Sequence, residues 1–72
     1  MKATYEKLTN AIVLQAVKDY RKALKVLKKH PRNGTALYTK REVERFFRSD
    51  WYALLTMVDP EMLIRKLKEE VR

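Results

Sequence analysis

Between residues 5 and 30 the apolar positions return at steps of three and four, through Leu8, Ile12, Val13, Ala16, Val17, Tyr20, Ala23, Leu24 and Leu27. At about 100° per residue these positions share one broad arc, the pattern of a helix covered along one side by other helices. The opposite arc carries Lys7, Lys18, Arg21, Lys22, Lys25, Lys28 and Lys29, with Leu14 as a large apolar side chain among them. Lys18, Lys22, Lys25 and Lys29 follow one another at steps of four, three and four residues, so their ammonium groups stand in a single row. Asp19 is the one carboxylate in that half of the helix, and it falls toward the edge of the apolar arc. Like charges at such spacings cost an isolated helix about 0.2–0.5 kcal/mol per pair. Burial of the other face has to offset that cost, helped by the lysines of the last turn and His30, which lie beside the negative end of the helix dipole.

The pattern breaks at Pro31-Arg32-Asn33-Gly34, where proline cannot continue a helix and Asn-Gly favours left-handed backbone angles. A tight reversal there predicts an antiparallel second helix starting near Thr35, its N-cap, with Thr39 and Glu42 as an alternative capping box. Ala36, Val43, Phe46 and Phe47 form the inward side of that helix, and Arg41, Arg45 and Arg48 a second basic line on its outside, diluted by Glu42 and Glu44. Ser49-Asp50 supplies a new cap before the apolar run Trp51-Tyr52-Ala53-Leu54-Leu55, which predicts a short helix over 50–57. Trp51 and Tyr52 are adjacent and cannot point the same way, so one of the two is expected outside the core as an anchor for a partner. Asp59-Pro60 marks the start of the last helix, with Asp as N-cap and Pro at the first helical position. Leu63, Ile64, Leu67 and Val71 form its apolar face, and Glu61 with Arg65, Arg65 with Glu69, and Lys66 with Glu70 are spaced for ion pairs within it. The fold these elements predict is all-α: one domain over 1–72, a small bundle of a long first helix, an antiparallel second, a short third and a C-terminal helix.

Composition narrows the function. Seventy-two residues sit near the lower limit for a single self-sufficient core. With no cysteine there is neither a disulfide framework nor a thiolate metal site, so packing has to hold the fold. The net charge of +8 is unevenly placed: residues 1–48 hold 13 Lys+Arg against 4 Asp+Glu, and residues 49–72 hold 4 against 5. A chain with such polarity is drawn through one side to nucleic acid, acidic protein or anionic lipid. No apolar run approaches the ~20 residues that span a bilayer, and the N-terminus lacks the pattern of a secretory signal, so a soluble, cytoplasmic protein is expected.

The run Glu44-Arg45-Phe46-Phe47-Arg48-Ser49-Asp50-Trp51-Tyr52 continues through Leu55-Thr56 and Val58-Asp59 to Leu63-Ile64-Arg65-Lys66-Leu67. Together with Ala11-Ile12-Val13-Leu14-Gln15-Ala16-Val17-Lys18-Asp19-Tyr20 it resembles small uncharacterised proteins encoded by phages and integrated mobile elements of Gram-positive bacteria. That group often carries Gly where this chain has Pro60. The resemblance covers most of the chain and implies a mobile-element setting; no activity is established for the group, so it implies no mechanism.

Candidate chemistry points away from catalysis. His30, the sole histidine, stands at a helix end beside Pro31, where a capping role accounts for it, and no nucleophile is paired with it. Asp50 and Asp59 each precede a helical run and read as caps, not as a carboxylate pair. Gly34 is alone, so no phosphate-cradling loop exists, and no His and carboxylate cluster has metal-ligand spacing. No cofactor is implied. The rings of Phe46, Phe47, Trp51 and Tyr52 read as core in a chain this small, with a base-stacking platform as the alternative. A helix-turn-helix over 50–71 has the right outline, but its second helix begins with Glu61 and Met62 where donors to base edges are needed.

The function expected from the sequence is therefore a non-enzymatic accessory protein that docks on nucleic-acid backbone. The residues that would carry it are Lys18, Lys22, Lys25 and Lys29 with Arg21, helped by Arg41, Arg45 and Arg48. The alternative is a protein–protein interaction module or small homo-oligomer, using an uncovered apolar strip around Val13, Val17 and Leu24. A basic helix lying on an anionic membrane fits less well, because its apolar face is needed for the core.

Overall fold

In the computed structural model of the chain, which describes the backbone of residues 2–71 and the side chains of residues 11–71, four helices follow one another: α1 Lys2–Lys29, α2 Gly34–Phe47, α3 Asp50–Leu55 and α4 Pro60–Val71. The all-α bundle expected from the hydrophobic pattern is the fold. Helix α1 begins at Lys2, three residues before the periodicity does, and the His30 N–H donates to the Val26 carbonyl (2.7 Å) to close its last turn.

The reversal after α1 differs from the expected one in its mechanism. Among the described residues none has a positive φ, so the Asn-Gly pair is not used for left-handed angles. Asn33 is instead extended (φ −64°, ψ 112°) and is itself the N-cap of α2, its Oδ1 accepting from the Ala36 N–H at 2.9 Å. Thr35 therefore lies inside the first turn, and Thr39 with Glu42 in the body of the helix. The amide oxygen of Asn is among the best cap acceptors, a contact worth about 1 kcal/mol, and it outcompetes the threonine two residues on. At the other end of α2 one hydroxyl serves two helices: Ser49 Oγ donates to the Phe46 carbonyl (2.6 Å) and accepts from the Tyr52 N–H (3.2 Å) that opens α3. α3 stops at Leu55, two residues short of the predicted end, because Thr56 turns extended and its Oγ1 accepts from the Val58 N–H. Asp59 caps α4 as its position predicts, with Oδ1 accepting from the Glu61 N–H at 3.0 Å.

Two grooves fix the register of α2 on α1. One is lined by Asp19, Ala23 and Val26 opposite Ala36 and Thr39, the other by Ile12 and Ala16 opposite Val43 and Phe46. α2 thus runs antiparallel along the stretch of α1 from Ile12 to Val26, about half of a helix twice its length. Val17, Tyr20, Val43, Phe47, Tyr52, Ile64 and Leu67 form one buried cluster contributed by all four helices, with Val13, Ala16, Leu24, Phe46 and Leu63 packed around it. Phe47 is its centre. Its ring meets Tyr20 at 5.8 Å and Tyr52 at 5.6 Å between centroids, both edge-to-face, and Phe46 at 5.9 Å.

Two expectations about apolar positions need correction. Ile12, assigned to the core, lies level with the last turn of α2 where cover runs out, and is 42% exposed. The strip offered to a partner, Val13, Val17 and Leu24, is taken up by the chain itself, Val17 buried and the other two packed against the core. Tyr5, Lys7 and Leu8 fall outside the residues whose side chains are described.

The polar contacts between helices centre on the partly buried Glu44. Its carboxylate accepts from the hydroxyl of the fully buried Tyr20 at 2.5 Å and lies 3.0 Å from Lys40 Nζ, 3.7 Å from Arg48 and 3.9 Å from Lys68, so it ties α1, α2 and α4 together. Burial alone would raise its pKa, but the hydrogen bonds from Tyr20 and Lys40 and the nearby cations outweigh it and hold Glu44 below the usual carboxylate range. Burial, then the bond to Glu44, pushes the Tyr20 hydroxyl well up, so it stays a donor. A lowered carboxyl pKa stabilises the fold fully above the ordinary glutamate value of about 4.3, and that contribution is lost as pH falls through the lowered value. Thermal unfolding followed from neutral pH to pH ~3 should therefore show a fall in Tm within the carboxylate range, and Glu44→Gln should reduce its steepness. An unchanged pH profile in the variant would remove Glu44 from the account.

Candidate nucleic-acid interface

Each lysine of the predicted row is a consequence of the α1 register. Val17, Tyr20 and Ala23 are the buried positions of the helix, so Lys18, Lys22, Lys25 and Lys29 fall on the arc away from the core, and all four are exposed. Eleven residues at 1.5 Å rise make the row about 16 Å long. Among the described residues none of the four has a carboxylate within ion-pair distance, although Lys25 stands near enough to Glu70 to help lower its pKa. Asp19, the carboxylate nearest in sequence, is held by Gln15, whose Nε2 donates to its Oδ1 at 2.9 Å, and it lines an α1–α2 groove at whose edge Lys22 also stands. Leu14, 56% exposed, stands on the same side near the N-terminal end of the row.

The arginines behave differently. Arg21 is gripped by Glu70, Nε to Oε2 at 2.8 Å and Nη2 to Oε1 at 3.2 Å, and Arg48 by Glu61 in the same two-bond geometry at 2.7 and 3.1 Å. These forks draw both glutamates below their usual pKa range. They also replace two of the three ion pairs expected inside α4, since Glu61 and Glu70 reach to Arg48 after α2 and to Arg21 of α1 instead of to Arg65 and Lys66; the third, Arg65 with Glu69, is not formed among the described residues. A planar guanidinium that engages both carboxylate oxygens is a better partner than a flexible pair four residues along one helix. Arg45 is 3.8 Å from Glu42, and Arg41 has no ion pair among the described residues.

The two basic lines do not form one surface. In α2 the buried positions are Ala36, Val43 and Phe47, and Arg41 and Arg45 lie on the arc away from them, while Arg48, the C-cap, reaches across to Glu61 of α4. Since α1 and α2 pack through their buried arcs, the lysine row and the arginine line look out on different sides of the bundle. Of the eight candidate residues, then, four lysines are brought together without an ion pair, Arg21 and Arg48 are engaged by the chain's own carboxylates, and Arg41 and Arg45 stand apart.

Of the four aromatic side chains weighed as a stacking platform, Phe46, Phe47 and Tyr52 pack on one another, with Phe46 edge-to-face on Tyr52 at 5.9 Å. Trp51 is 56% exposed while Tyr52 is buried, which resolves the adjacent pair as expected. A group the sequence reading missed lies beside it: Leu54, Met57 and Val58 are exposed as well. The available signal was length, since a helix of six residues has one inward face and must turn the rest of an apolar run outward. Among the described residues no helix is long and apolar enough to cross a membrane. Comparison with models of protein families, with curated proteins and with solved structures gave no match.

Proposed function

We propose that this is a non-enzymatic accessory protein that binds the phosphate backbone of nucleic acid through the lysine row of α1, in the cytoplasm, with the phage or mobile-element setting that the resemblance implies. One observation carries the reading: four exposed ammonium groups in line on one helix, without an ion pair among the described residues of a chain that engages Arg21 and Arg48 bidentately. A structure with surplus carboxylates would match such a row; residues 1–48 have nine fewer carboxylates than cations. Duplex DNA presents about one charge per 1.7 Å of axis, so the row lies along roughly ten phosphates' worth of charge and can neutralise several. Nothing in it reads base edges, and little sequence preference is expected.

The test is a salt titration of binding to a labelled duplex and a labelled single strand. Four neutralised phosphates predict a slope of log K against log salt near −3.6 for the duplex and about −2.8 for the single strand. Because α2's arginines face another side, the double substitution Arg41→Gln, Arg45→Gln should leave the duplex slope unchanged. No binding at about 50 mM salt would sink the reading, and a slope that falls by about two in the double variant would move the site to α2.

A further inference from the structure

The outward face of α2 carries a second group of side chains, separate from the α1 row. At about 100° per residue Tyr38, Arg41 and Arg45 fall within about 60° of one another, opposite the buried Ala36, Val43 and Phe47. Tyr38 is 66% exposed, and its side chain makes no hydrogen bond or ring contact among the described residues. Arg41 is exposed with no ion pair there, and Arg45, its side chain 81% exposed, meets only Glu42 at 3.8 Å. The other charges of that stretch are drawn elsewhere. Lys40 lies 3.0 Å from Glu44, and Glu42 lines the groove shared with α1. At 1.5 Å rise the stripe from Tyr38 to Arg45 is about 10 Å long.

We infer that this stripe is a second nucleic-acid site, one that takes an unpaired stretch of two or three nucleotides. A base stacks on the Tyr38 ring while Arg41 and Arg45 meet the phosphates that follow it. Length fits, since about 10 Å is three steps of a stacked strand at 3.4 Å each. The chemistry fits as well: a bare aromatic face in line with cations is the combination by which single strands are held without regard to sequence. A duplex would leave the ring idle, because its base faces are hidden in the stack. An acidic peptide would use the arginines and also leave the ring idle. The inference extends the nucleic-acid reading but stands on residues outside the lysine row. Because row and stripe look out on different sides, one chain can hold a duplex on α1 and an unpaired strand on α2 together.

Anisotropy titrations should compare a labelled blunt duplex with the same duplex carrying a ten-nucleotide deoxyadenosine overhang. That overhang supplies about 34 Å of strand, against a bundle 20 Å across. It should raise affinity roughly three- to tenfold. Tyr38→Ala should remove the gain while blunt-duplex affinity and helical circular dichroism stay at the parent's values, and Arg41→Gln, Arg45→Gln should reduce it. Without any duplex, a deoxyadenosine hexamer titrated into the parent should move the Tyr38 ring-proton resonances upfield, the ring-current signature of a stacked base. A blunt duplex that fails to bind would remove the lysine-row reading, and the hexamer titration would then decide this inference alone. Unmoved Tyr38 resonances overturn it. So does an overhang that adds nothing to a duplex that binds, or a gain that survives Tyr38→Ala. Resonances that move as far with a glutamate peptide of equal charge overturn it in favour of an acidic protein partner.

Discussion

Replacing Phe47 by Ala should remove about 3 to 5 kcal/mol of stability, the largest effect expected of any single substitution in this chain. The ring has no exposed surface and is the one side chain that meets Tyr20 from α1 and Tyr52 from α3 while sitting among Val17, Ile64 and Leu67. Its loss deletes apolar burial, two edge-to-face contacts worth about 0.5–1.5 kcal/mol each, and the material between three helices, which cannot close the gap without moving the Tyr20–Glu44 bond. Domains of this kind hold only about 5–15 kcal/mol in total, and a small one sits at the low end, so the variant should be largely unfolded at room temperature. Urea unfolding followed at the helical circular-dichroism band would show the parent's cooperative transition and little or none in the variant. Trp51→Ala, on the exposed side of the same short helix, should change stability by less than about 1 kcal/mol. A cooperative Phe47→Ala transition at the parent's midpoint would mean that the core lies elsewhere.

The second large effect belongs to the lysine row. With Lys18, Lys22, Lys25 and Lys29 all changed to Gln, duplex affinity at about 100 mM salt should fall by 10³-fold or more. Each neutralised phosphate makes log K fall by about 0.9 per decade of salt, so relative to 1 M salt each contact is worth roughly eightfold at 0.1 M. Four contacts compound to about 10³ to 10⁴. Glutamine is a good helix former and the four positions are exposed, so folding should be retained and relieved of mutual repulsion. Anisotropy titrations of parent and variant at matched salt read the ratio directly. An affinity that falls by less than tenfold would show that other groups hold the nucleic acid.

Local physics made most of the elements legible in the sequence. The apolar steps of α1, the proline after it, the Asp59-Pro60 start of α4 and the adjacent Trp51-Tyr52 pair each express a constraint that acts within a few residues, and the structure follows them. The cap of α2 was a competition between neighbours, Asn33 and Thr35, and the amide oxygen's reach to the Ala36 N–H decided it. The α4 ion pairs were misplaced for a different reason. Spacing along one helix fixes which carboxylates can meet which cations inside it, but Glu61 and Glu70 found better geometry in guanidinium groups 13 and 49 residues away in the chain.

By itself the sequence determined four helices, their approximate ends, a two-sided α1 with lysines in line, and a charge gathered into residues 1–48. These follow from backbone periodicity and composition, which need no knowledge of neighbours. Only the tertiary structure decided which of the described cations form no ion pair, that the lysine and arginine lines face different sides, that Val13, Val17 and Leu24 are occupied by the core, and that Trp51, Leu54 and Met57 are left exposed. Each of those depends on how one helix is rotated and shifted against another. That choice is set by ring packing around Phe47 and by carboxylates reaching between helices, contacts that couple residues far apart in the chain.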